Sequence, residues 1–195
     1  MSKNRLEAFT DAVIAIIMTI LVLELRSPGG AGFADLWGLS HTFLVYITSF
    51  ATLAIYWINH HHMFHATTVV SGKILWLNML LLLCVSLFPF TTAWVENHIG
   101  ARAPEITYGM LMLAADILWV LLNRALLREH DDDEDLTRAL NDSKKSAFTI
   151  GMIVTGMMIG WFFWPPAVIL SCLLSLISWV LPDRRIKQYM WDHKD

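Results

Sequence analysis

Four histidines and one mid-span acid are the residues whose type and spacing could do chemistry in this 195-residue chain. In His60-His61-His62 with His65, the pair His61 and His65 is four residues apart and shares a helical face, which is metal-ligand spacing. A zinc site needs three or four ligands, and no Cys or suitably spaced carboxylate lies beside these rings. One or two of the rings, with Trp57 and Asn59, are therefore expected to hydrogen-bond to a neighbouring helix at the membrane boundary. Asp116 is the one carboxylate near the middle of an apolar run. Such an acid marks either a proton or ion path or a hydrogen bond to another helix. Without a second acid, Lys or His at its depth it makes a poor relay. At the front of the chain, Arg5-Leu-Glu-Ala-Phe9-Thr10-Asp11 opens directly into the apolar run Ala12 to Leu23. Ionic groups at a bilayer boundary are unfavourable unless paired, so Arg5 and Asp11 are expected to have partners, with Asn78 at similar depth. No nucleophile elbow, phosphate-cradling loop, dinucleotide fingerprint or pair of intramembrane carboxylates is present. The chain is accordingly read as no enzyme, with no cofactor and no resident metal. A carbonyl potassium filter is missing too, because Thr107-Tyr108-Gly109 is only a fragment of one.

The elements that must position these residues are membrane helices. The chain is 56% hydrophobic and 16% charged, with nine Trp, whereas soluble domains run about 45–50% apolar and about 25% charged. Six apolar segments, about 6–25, 37–63, 73–96, 105–127, 146–164 and 166–181, could each approach the roughly 20 residues that cross a bilayer. They are continuous rather than alternating, which indicates helices and not a barrel. The expectation is an all-α polytopic protein, one six-helix domain over 1–195. Pro89 is expected to kink the third span, Pro165-Pro166 to start the sixth, and Gly156-xxx-Gly160, with Gly151 nearby, to let the fifth approach a neighbour closely. Cys84 and Cys172 read as small buried hydrophobes.

Charge fixes the orientation. With six spans, twelve of the fourteen Lys and Arg fall on the side shared by both termini, and only Arg26 and Arg102 on the other. That asymmetry puts both termini in the cytoplasm. Glu24 and Arg26 stand where a signal-peptide cleavage site would be, so the first span is read as retained. Trp37, Trp94, Tyr108 and Trp164 are expected at the outer boundary, and Trp57, Trp76 and Trp179 at the inner one. Outside, Glu24, Asp35, Glu96 and Glu105 outnumber Arg26 and Arg102, a mild bias toward cations. The acidic run 129–135 reads as a solvated cytoplasmic loop without the spacing of a calcium loop.

Two motifs carry a family resemblance. Arg5-Leu-Glu-Ala-Phe9-Thr10-Asp11 resembles the Arg-x-x-x-Phe-Ser-Asp hallmark of the transmembrane protein 175 family, endolysosomal potassium channels and their prokaryotic relatives. Thr10 replaces Ser and keeps the hydroxyl. Trp57-Ile-Asn-His60-His61 resembles the family's second-helix motif. The resemblance implies a homotetramer whose first helices line a central pore. It implies a cytoplasmic-side network of Arg5, Phe9, Thr10, Asp11, Trp57, His60, His61 and Asn78. It also implies a hydrophobic constriction at Ile16, five residues past Asp11, continued on the same helical face by Ile20 and Leu23, with Thr19 adjacent. Taken alone, those apolar side chains would read as ordinary helix packing. The expected function is a potassium-over-sodium selective channel in a prokaryotic plasma membrane, with potassium ions and the lipid bilayer as partners and no nucleic acid. Two alternatives stay open: a secondary or proton-coupled transporter using Asp116 and the His60–His65 cluster, and a non-conducting membrane scaffold.

Overall fold

The computed structural model describes residues 2–65, 67, 70–129 and 143–180. Its elements are α1 (Lys3–Glu24), the short α2 (Phe33–Trp37), α3 (Ser40–His65), α4 (Gly72–Val85), α5 (Phe88–Asn97), α6 (Arg102–Glu129), α7 (Ser143–Phe162) and α8 (Ala167–Val180). No strand occurs among the described residues. Five stretches are long and apolar enough to cross a membrane: α1, α3, α4 with α5, α6, and α7. The 14 residues of α8 rise only about 21 Å, against a hydrocarbon core about 30 Å thick. Most of the acidic run 129–135, the end of the expected sixth span, and the basic residues Arg138, Arg184, Arg185, Lys187 and Lys194 lie outside the described residues.

Local chemistry explains the breaks. The expected second span begins at Ser40 rather than at 37, because Gly32 and Gly38 bracket a separate short helix. Its first turn is closed by the Gly32 N–H donating to Asp35 Oδ2 at 2.9 Å. The third span is interrupted at Ser86–Leu87, and Phe88-Pro89 restarts it as α5. Pro89 has no N–H for the carbonyl four residues back, so it suits a first turn and not a helix interior.

The centre of the fold is α6, which packs on α4, α5, α7 and α8, while α1 packs on α3, α4 and α5. The α7–α8 hairpin is closed by its glycines. A Cβ on Gly156 would run into the Ser171 side chain, and one on Gly160 would stand 2.6 Å from Val168 Cγ2. Gly109 of α6 is equally tight, 2.7 Å from Val168 Cγ1, though nothing in the sequence singled it out.

One sequence expectation is corrected here: Glu105 does not contribute to the outer field, since its side chain is fully buried inside the fold. Tyr108 is likewise fully buried among helices, its hydroxyl meeting Ser49 of α3 at 3.0 Å.

Candidate functional site

Helix α1 has two faces of opposite character. Leu6, Thr10, Ile14, Ile17 and Leu21 recur every three or four residues and are buried. On the other side Ile16 is 59% exposed, Ile20 38% and Leu23 79%. Thr19 lies among them and donates its hydroxyl to the Ile16 carbonyl at 2.7 Å. Within the single chain these bulky apolar side chains stand largely uncovered. Ile20 borders a groove shared with Glu24, Pro89, Phe90 and Trp94.

The buried face is fixed at its N-terminal end by a chain of side chains from three helices. Asn78 of α4 donates from Nδ2 to Thr10 Oγ1 of α1 at 2.9 Å. His60 of α3 meets Asn78 Oδ1 at 2.8 Å through Nε2. An amide oxygen only accepts, so His60 carries its proton on Nε2 in this arrangement. Thr10, His60 and Asn78 are all almost completely buried, and the His60 ring stacks on Phe64 with centroids 4.4 Å apart. Beside this chain the Trp57 indole N–H donates to Asp11 Oδ1 at 2.9 Å, in a more exposed setting. Lys3 adds a further tie, donating from Nζ to the Thr67 carbonyl at 2.9 Å. Buried hydrogen bonds contribute about 1 kcal/mol each, but a buried partner left unpaired costs about 1–3 kcal/mol. This anchor is therefore more consequential when broken than when formed.

The remaining residues expected in the network stand apart. Among the described residues Arg5 is exposed and makes no hydrogen bond or ion pair with the anchor. Phe9 is 50% exposed on the far side of α1. His61 is exposed, and its ring contacts are to His62 and His65, each 5.9 Å between centroids. Asn59 bonds back to the Ile55 carbonyl of its own helix at 2.8 Å. Among the described residues no three His, Cys, Asp or Glu side chains converge as metal ligands.

A second buried polar set was not anticipated as a unit. Tyr56 donates to Asp116 Oδ1 at 2.6 Å, joining α3 to α6. Ser49 of α3 meets Thr92 of α5 at 2.7 Å and Tyr108 of α6 at 3.0 Å. Trp179 of α8 donates to Thr149 of α7 at 2.8 Å. Trp119 stands edge-on to both Tyr56 and Trp179, at 5.8 and 6.4 Å. Asp116 thus makes the interhelical hydrogen bond that was one of its two readings. A signal was present: Ser49, Thr52, Tyr56 and His60 recur at helical spacing, a polar stripe along an otherwise apolar span.

Residues 5–89 match the model of a family described as the endosomal/lysosomal potassium channel TMEM175. The chain is 39% identical over 188 residues to a potassium channel of a Chryseobacterium species, spanning 96% of this chain and 97% of that one. The chain belongs to the TMEM175 family. The fold agrees with that of a solved structure, the lysosomal potassium-selective channel TMEM175 homolog from Chamaesiphon minutus. The TM-score is 0.77 at 27% identity, over 92% of this chain and 96% of that one. The endosomal/lysosomal proton channel TMEM175 of Gallus gallus is 27% identical, over 91% of this chain but only 38% of its own length. The matched TMEM175 segment contains the exposed α1 face and Thr10, Asp11, Trp57, His60 and Asn78 of the anchor, whereas Tyr108, Asp116 and Trp179 lie beyond it.

Proposed function

We propose that this TMEM175-family chain is a potassium-permeable channel that prefers potassium to sodium. Four copies assemble around a central pore in a prokaryotic plasma membrane, each with six spans, both termini in the cytoplasm and α1 facing the pore. The observation that carries this reading is the two-faced α1: one side is buried and anchored, and the other presents Ile16, Ile20 and Leu23 uncovered. The relatives named potassium channel and the potassium-selective homolog of like fold support it.

The physics follows from that face. A ring of Ile16 side chains, one from each subunit, is a narrow apolar collar that excludes water and ions until it widens. Ile20 and Leu23 continue the collar about 6 Å and about 10 Å further along the helix axis. Thr19 borders it. At the outer end Glu24, Asp35 and Glu96 outnumber Arg26 and Arg102, which raises the local cation concentration. His60, Asn78 and Thr10, with Trp57 and Asp11, orient the helix and do not touch the ion. Potassium is cargo, no covalent step is involved, and the bilayer is the solvent for the outer helices.

Reconstitution of the purified oligomer in proteoliposomes under opposed potassium and sodium gradients tests the reading. Passive flux that does not saturate and favours potassium is expected. A saturating flux driven by a pH gradient would instead indicate a coupled transporter using Asp116 and the His60–His65 cluster. Silence from a well-folded oligomer would indicate a scaffold.

A further inference from the structure

Four helices line a small cavity beside Asp116. Tyr56 of α3, Asp116 and Trp119 of α6, Thr149 of α7 and Trp179 of α8 contribute to its wall. Its volume is about 20 Å³. A single water occupies about 10–15 Å³ on the same measure, so the cavity has room for one.

Two polar atoms of this wall are left over by the fold. Tyr56 satisfies Asp116 Oδ1 at 2.6 Å, but Asp116 Oδ2 has no hydrogen-bond partner among the described residues. The Trp119 indole Nε1 has none either. Asp116 is 8% exposed and Trp119 4%, so bulk solvent does not serve them. Buried groups of this kind are nearly always paired in native folds. The two residues are three apart on α6 and share a helical face, yet the two atoms do not bond to each other.

Their chemistry selects the ligand. An indole N–H only donates, and an ionised carboxylate only accepts. A bare cation cannot accept from Trp119, and an anion without hydrogen cannot donate to Asp116. Water does both and is neutral. A proton on Asp116 would reverse one bond, and the Trp119 N–H would still need its acceptor. Thr52, Asn59 and Thr149 add side-chain oxygens to the same wall, enough to complete the roughly three partners that a buried water takes.

We propose that this cavity is a binding site for one water molecule, which accepts from Trp119 Nε1–H and donates to Asp116 Oδ2. The water extends the Tyr56–Asp116 bond across the cavity toward Thr149 and Trp179, which bond to each other at 2.8 Å. It fills the gap between the tie of α3 to α6 and the tie of α7 to α8. The wall takes its residues from α3, α6, α7 and α8, so the site stands apart from the exposed face of α1.

NMR of the full oligomer in detergent, with isotope-labelled tryptophan, tests this independently of conduction. The indole resonance lost in Trp119→Phe identifies Trp119. A cross-peak between that indole N–H and water is expected in the wild type, and its loss is expected in Asp116→Leu, which replaces the carboxylate with an apolar side chain. A cryo-EM map of the wild type that resolves ordered water needs no variant. One peak about 2.7–3.2 Å from both Asp116 Oδ2 and Trp119 Nε1 is expected, with the same height in potassium and in thallium. A dry cavity with no water cross-peak at Trp119 would overturn the proposal. So would a peak that grows in thallium, because the ligand would then be a monovalent cation. A cross-peak that persists in folded Asp116→Leu would overturn it too, because Asp116 would not be holding the water.

Discussion

Two buried polar clusters hold this fold together, and they differ in which helices they tie. The first links α1, α3 and α4 through Thr10, His60 and Asn78. The second joins α3 to α5 and α6 through Ser49, Tyr56, Thr92, Tyr108 and Asp116, with a separate Thr149–Trp179 bond between α7 and α8, and takes no residue from α1. Among the described residues, side-chain hydrogen bonds therefore lock α3 to α5 and α6, but they hold α1 to α3 and α4 at its N-terminal end alone. Beyond Asp11, α1 is kept by the apolar contacts of Ile14, Ile17 and Leu21. Apolar burial is strong yet non-directional. A helix held this way can change tilt or rotation about its anchored end without breaking a buried hydrogen bond, which the helices of the second cluster cannot do.

The sharpest way to break this contrast is to remove the middle member of the first cluster. Asn78→Ala leaves both His60 and Thr10 unpaired, and about 3 kcal/mol of stability should be lost, read as a lower melting temperature of the oligomer in detergent. Flux per folded oligomer should change with it, because α1 loses its buried hydrogen bond to α4. Tyr56→Phe in the second cluster deprives Asp116 of its partner and should lose about 2 kcal/mol. There the flux per folded oligomer should stay at the wild-type level; an equal change in flux would erase the distinction between the clusters. Trp57→Phe removes a bond in a half-exposed setting, so a loss of about 0.5 kcal/mol is expected by thermal melting. The smallest effect belongs to Arg5→Ala, within about 0.5 kcal/mol by the same measurement, as for a surface position. A larger loss would make Arg5 a member of the anchor.

Much of this organisation was legible in the sequence because membrane helices announce themselves by length. Continuous apolar runs located α1, α3, α6 and α7 to within about three residues, and Pro89 marked the break between α4 and α5. The pairing of Thr10, Asp11, Trp57, His60 and Asn78 was foreshadowed by depth, since polar residues at the same boundary on successive antiparallel spans must meet. What depth does not give is azimuth. His61 neighbours His60 in sequence but points about 100° away on a helix, out of the anchor, and Phe9 is likewise turned outward. Glu105 was misplaced for a related reason: its distance from the helix end suggested the outer surface, while the side it faces is the interior. Of the second cluster only Asp116 was singled out; its other members, isolated Ser, Thr and Tyr residues on α3, α5 and α6, are each unremarkable alone. Only the stripe from Ser49 to His60 hinted at it.

The central claim is that the uncovered face of α1 lines the ion path, and Ile16 tests it most directly. Proteoliposomes carrying Ile16→Asn, under opposed potassium and sodium gradients, should show higher conductance or a lower potassium-over-sodium preference than wild type. Ile16 is 59% exposed within the subunit, so the substitution should leave the fold intact. Wild-type conductance and selectivity in Ile16→Asn, and equally in Ile20→Asn and Leu23→Asn, would contradict the assignment of that face to the pore.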